Sequence, residues 1–313
     1  MTMMMSLLLL LLLLLSYINI HYTHTLSSSK YHRHSPNTAS AHLLNLSLRR
    51  STRRLEQQAA ANNLLLSTEF QKLKVNLERY PKRSPGDRGT PAGCTEALLV
   101  SGASGIYKIQ PDPLAEAFYV YCELDEHGGD AWTIMQRRRD GSQEFYRSWS
   151  EYRQGFGNLA GEFFLGLDKM HLLTERTLQE LWINMEDFAN ASCNAHYAFF
   201  AIGDESQAYA LKILGNFTGE CGDSLGYHQG MKFTTKDAHN DANRENCAQK
   251  NRGAWWYNKC QSSNLNGQYF ERGHYSAEKY GWGIDWSTWH GHNNSLKTVQ
   301  MAVRAVKSNA YPL

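Results

Sequence analysis

The 313-residue sequence predicts an α+β protein: a globular head with a mixed antiparallel sheet, short helices and long stapled loops, preceded by a short helical stalk. Three observations predict it. Six stretches, 105–110, 117–123, 132–137, 178–187, 195–202 and 208–214, read as strands from their alternation and their β-branched and aromatic content. All six cysteines lie between Cys94 and Cys260, an even number with no C-x-x-C spacing, which favours disulfides over metal thiolates. Ahead of them Leu55, Ala59, Asn62, Leu66, Phe70, Leu73, Leu77 and Tyr80 recur at helical spacing, with a stutter between Leu66 and Phe70.

The unbroken leucine run from Leu7 to Leu15 is too short to span a bilayer. Residues 1–20 are expected to be a secretory signal peptide, although they lack a basic start; the alternative is an uncleaved signal anchor. With the signal cleaved, no membrane span is expected, and the protein is placed outside the cell. Residues 21–54, rich in His, Ser, Thr and Arg, form a disordered basic segment. The helix over 55–80 carries an apolar stripe that requires a partner, either a second copy in a coiled coil, giving a homo-oligomer, or the head itself. Pro81 ends it, and the Pro/Gly tract to Gly93 is a linker. Residues 1–93 carry 12 Lys/Arg against 4 Asp/Glu, leaving an acidic head; the basic stalk either attracts polyanions such as glycosaminoglycans or is a solvated linker, and no nucleic-acid partner is expected. The sequons at Asn45, Asn190, Asn216 and Asn293 fit export and predict surface positions if glycosylated.

Within the head, 94–313, Gly203-Asp204-Glu205-Ser206 reads as a hairpin turn. Centred there, the hairpin brings Cys193 and Cys221 nearly opposite each other and predicts a disulfide between them. From Phe233 to Phe270 the chain suits neither helix nor strand: it is dense in Asn, Asp, Ser and Gly, and Cys247 and Cys260 enclose the triplet Trp255, Trp256 and Tyr257.

The run CAQKNRGAWWYNKCQSSNLNGQYF, preceded by GDAWTIMQRRRDGSQEFYRSW, YRQGFGNLAGEFFLGLDKMHLL and GDSLGYHQGMKFTTKD and followed by SLKTVQMAVR, resembles the fibrinogen-related domain of fibrinogen chains, ficolins, tachylectins, angiopoietins and tenascins. The resemblance spans Cys94 to Val306. It implies that domain's fold, the bridges Cys94–Cys122 and Cys247–Cys260, and two sites beside the second bridge.

The first is a structural calcium site. Read from the residues alone, Asp237, His239, Asp241 and Asn243 alternate like the start of an EF-hand loop, but Ala242 and Ala248 stand where such a loop needs Gly and a bidentate Glu. The resemblance implies a different site, with carboxylates at 239 and 241 and backbone carbonyls at Asn243 and Glu245. Here His239 departs from the pattern, because calcium prefers oxygen and imidazole is a poor substitute. Asp237 would compensate if the loop shifted; otherwise Asx turns and the disulfide order it.

The second is an acetyl-binding pocket, which the resemblance places at Asn251, the Lys259–Cys260 peptide bond, expected to be cis, Gln261, Tyr280 and Gly281. Asn251 stands where several lectins have tyrosine and fibrinogen has an acid; Gln261 stands where the lectins have histidine. Trp255, Trp256, Trp282 and Trp286 provide either stacking surface or core.

No P-loop, zinc-protease, nucleophile-elbow or dinucleotide motif occurs, and the eight head histidines are scattered, so an enzyme is not expected. The expected function is a secreted recognition protein, lectin-like, binding glycans or acetylated groups in innate immunity or cell-surface recognition. The alternative is a signalling or matrix ligand for a protein receptor.

Overall fold

A computed structural model describes residues 89–125 and 130–306. The expected signal peptide, basic segment, stalk helix, most of the linker and Asn45 lie outside the described residues.

The head is organised by one antiparallel sheet whose main path runs β1 (Gly105–Ile109), β2 (Phe118–Leu124), β3 (Ala131–Arg138), β12 (Thr298–Ala305), β6 (Gln179–Glu186), β7 (Ser192–Ile202) and β8 (Leu211–Leu214). The C-terminal strand therefore sits centrally, paired on one side with β3 and on the other with β6. Alternation sorts the side chains. On β6, Leu181, Ile183 and Met185 are buried while Glu180, Trp182, Asn184 and Glu186 face outward. At β7 the sheet packs on α3 (Leu167–Arg176), which turns Leu167, Met170, Leu173 and Thr174 inward.

Five expected strands form with small boundary shifts. The sixth is corrected: only Leu211–Leu214 is strand, whereas Ala208 and Tyr209 have positive φ and belong to the turn. That turn is longer than the four residues expected, because Asp204 caps a short 3₁₀ segment, Glu205–Gln207, with its carboxylate. The hairpin centre moves accordingly. On the far side, β9 (Phe217–Gly219) pairs Ala195 with Gly219 and His196 with Thr218, the register that sets Cys193 opposite Cys221, and these two are bonded. Cys94–Cys122 and Cys247–Cys260 are also formed, and the described residues hold no free cysteine. An additional helix, α1 (Cys94–Ser101), stands where the sequence suggested no element; Gly102, in the left-handed region, ends it and donates to Leu98 O.

Two devices connect the sheet to the loops beyond it. Ser148 and Glu151 form a reciprocal capping box that starts α2 (Trp149–Gln154). Gly155, at φ 93°, follows this helix; a Cβ there would fall 2.2 Å from Leu165 O, so the approach of β4 (Phe156–Gly157) to β5 (Phe163–Phe164) requires glycine. Glu162, 2% exposed, accepts from the backbone N–H groups of Arg139, Asp140, Gly141 and Gln143, and Arg138, 1% exposed, donates to the carbonyls of Leu265 and Gly267. The end of β3 thereby holds the loop that leads to the candidate site.

A candidate binding pocket beside the Cys247–Cys260 bridge

The aromatic triplet is core. Trp255, Trp256 and Tyr257 are fully buried, as is Trp286, and Trp256 Nε1 donates to Tyr209 O. Trp282 remains partly exposed under the Arg252 guanidinium, 5.0 Å from its ring centre. His228 joins the triplet to the chain after Cys260. Its Nδ1 faces Trp256 O at 2.7 Å, so Nε2 accepts from the N–H groups of Ser262 and Ser263. Burial pushes its pKa down to about 4, which keeps this bridging ring neutral.

Asn246 caps α4 (Cys247–Asn251) with its side-chain oxygen, and the helix delivers Asn251 at its last turn. The Lys259–Cys260 peptide bond is cis, as the resemblance implied. It leads into Gln261 and then β10 (Ser263–Asn264), which pairs with β11 (Asp285–Trp286). Gly281, at φ 78°, brings the last wall close: a Cβ there would meet Gln261 Nε2 at 3.1 Å and Asn251 Oδ1 at 3.3 Å. Tyr280 beside it is 57% exposed. Asn251, Gln261, Tyr280 and Gly281 are thus brought together, while the Lys259 side chain points to solvent.

Two residues that the sequence reading missed complete the cluster. Gln261 Nε2 donates to Gly281 O and to the Asp285 carboxylate, and Asp285 faces His292 Nδ1 at 3.3 Å. His292 in turn packs edge-on against Tyr280, 5.6 Å between ring centres. Burial raises the Asp285 pKa to about 6, and the adjoining carboxylate raises that of His292. Asn251 Nδ2 and Gln261 Oε1 are buried without a protein partner, one a donor and one an acceptor. The available signal was Asp285 itself, an acid between Ile284 and Trp286.

The neighbouring loop does not fit calcium well. Asp241, its side chain fully buried, accepts from Asn243 N, from Cys247 N and from His239 Nε2 at 3.2 Å. Asp237 is engaged elsewhere, accepting from Trp149 N and Thr235 Oγ1. The Glu245 carbonyl accepts from the Asn243 amide. A hard cation would meet a single carboxylate there, already satisfied by N–H donors and an imidazole. Asn190, Asn216 and Asn293 are all exposed.

Residues 90–306 match the family described as the C-terminal globular domain of fibrinogen beta and gamma chains. The chain belongs to the fibrinogen C-terminal domain family. Over 245 residues it is 44% identical to fibrinogen C domain-containing protein 1 of Xenopus tropicalis, covering 74% of this chain and 52% of that protein. The chain thus spans about half the length of the curated relatives of that name that it matches. Among solved structures, the fibrinogen-like globe of human ANGPTL2 superposes with a TM-score of 0.66 at 39% identity, covering 69% of this chain and 99% of that one. A lamprey fibrin D-dimer, solved with the peptide Gly-His-Arg-Pro-amide, superposes with a TM-score of 0.65 at 29% identity, covering 88% of this chain and 95% of that one. Domains of this fibrinogen-like family are binding modules, not enzymes. None of the described helices is long and apolar enough to cross a membrane.

Proposed function

We propose that the chain is a secreted, non-enzymatic recognition protein whose fibrinogen-like head captures a small polar or sugar ligand in the pocket formed by Asn251, Gln261, Tyr280 and Gly281. One observation carries this reading: a buried amide donor on Asn251 and a buried amide acceptor on Gln261, both lacking protein partners, lie beside an exposed tyrosine. An aromatic wall with a few converging polar groups is the usual composition of a site that orients a small ligand. The disulfides fit the oxidising extracellular compartment.

A second reading, a protein or peptide receptor ligand, is favoured by Asp285. The acid absent at position 251 has a counterpart at the base of the same cluster, where a carboxylate suits a donor-rich peptide end. The lamprey fibrin relative was solved with such a peptide. The deciding experiment measures binding of the secreted protein to acetylated glycans and to peptides with free basic N-termini, beside Tyr280→Ala. Tyr280-dependent glycan binding supports the lectin reading. Tyr280-dependent peptide binding alone supports the receptor reading, and no Tyr280-dependent binding of either overturns the pocket as the site.

A further inference from the structure

The outward face of the sheet carries a second, independent feature. Ala302 on β12 lies opposite Trp182 on β6, and Trp182 lies opposite His196 on β7. On the other side of β12, the register break between Met301 and Ala302 leaves Trp132 of β3 beside Arg304. Ala302 is the small residue of this row, so the two indoles flank it, 6.1 Å apart between ring centres and inclined at 48°. Together they form a trough of about 550 Å³. Neither indole is fully buried, unlike Trp255, Trp256 and Trp286.

The polar groups around the trough are already fixed by one another. The Arg304 guanidinium lies 4.1 Å from the Trp132 ring centre and donates to Asp125 at 2.6 Å and to Glu180 at 2.8 Å. Gln300 accepts from Arg137 and donates to Glu123. Asn184 Oδ1 accepts from Trp182 Nε1 at 2.7 Å, which orients its exposed amide NH₂ group and leaves that group without a protein acceptor among the described residues.

These contacts narrow the ligand. The carboxylates of Glu123, Asp125 and Glu180 outnumber Arg304 and Arg137, which disfavours sulfated, sialylated or phosphorylated chains. A cationic ligand has no place at Trp132, because Arg304 already makes the cation–π contact there. A neutral ring with an apolar C–H face and a hydroxylated edge matches indoles bordered by amides and carboxylates. We propose that this trough is a binding site for neutral hexose chains, separate from the pocket at Tyr280 and independent of it.

The test uses the full secreted protein and neutral manno-, malto-, cello- and galacto-oligosaccharides without N-acetyl groups, with binding read by tryptophan fluorescence and calorimetry. At least one series is expected to bind, with affinity reduced about tenfold or more by Trp182→Ala and about threefold by Asn184→Ala. Asn184 is exposed, so its variant decides the matter if Trp182→Ala does not fold. Excess acetamide, which carries the acetyl group without a sugar ring, should leave the binding in place, and sulfated chains of equal length should not compete. The proposal is overturned if no series binds, if the folded variants bind like the unaltered protein, if acetamide displaces the sugar, or if sulfated chains bind as well.

Discussion

His292 Nδ1 lies 3.3 Å from the carboxylate of Asp285, and that carboxylate accepts the amide hydrogen that orients Gln261. The acid–imidazole contact therefore sets the polarity of the pocket from beneath. Both groups have pKa values raised in the folded chain, Asp285 to about 6 by burial and His292 by the neighbouring carboxylate.

Raised values mean that the folded state holds these protons more tightly than the unfolded state. The stability they contribute is present below about pH 4 and is lost as pH rises through about 6 and beyond. His228 acts in the opposite sense, because its depressed value costs stability as pH falls below 6.5. A single pH profile mixes the two, so the variant difference is the measurement. The stability of the unaltered protein relative to Asp285→Asn should decline by up to about 3 kcal/mol between pH 4 and pH 8 in denaturant titrations. A difference that is flat with pH would show that the pair does not titrate in this way.

Calcium should add little. With His239 paired to Asp241, millimolar calcium is expected to shift the thermal midpoint by less than about 1 °C. His239→Asp, which supplies the second carboxylate, should gain calcium-dependent stabilisation of about 2 to 3 kcal/mol at a hundredfold excess over its Kd. A clear calcium shift in the unaltered protein would refute the expectation.

The Cys193–Cys221 bridge closes a span of 28 residues. Replacing both cysteines by serine should cost about 3 kcal/mol in the chain-entropy account, measured by urea unfolding at fixed pH. A loss near zero would mean that β7 and β9 keep their register without the bridge.

Glu162→Ala should be more damaging. It strands four backbone N–H groups and leaves buried Arg138 without its carboxylate neighbour, 3.9 Å away. A loss of about 3 to 5 kcal/mol is expected by calorimetry, with weakened ligand binding at Tyr280 because Arg138 holds the loop at Leu265 and Gly267.

Strands were legible wherever a buried face alternates with a wet one, as on β6, and the third disulfide was legible because hairpin pairing converts sequence spacing into proximity. The start of β8 was not, since the left-handed conformations of Ala208 and Tyr209 carry no glycine to announce them. Helix α1 was missed because Cys94, Ala97 and Leu98 are buried while Leu99 is 78% exposed, so the sequence shows no clear apolar stripe. In the pocket, residues flanking the second bridge were accessible through the family motif. Asp285 and His292 were not, because their meeting depends on β11 pairing with β10 and on the return of the loop after Trp286.

The Cys94–Cys122 bridge has a mechanical consequence. Tension applied through the N-terminal segment reaches the head at α1 and crosses the bridge directly to β2, which pairs with β3 inside the sheet. The ladder between β1 and β2 is bypassed and carries no load. An anchored head under shear would therefore resist as a whole sheet instead of unzipping from its outermost strand.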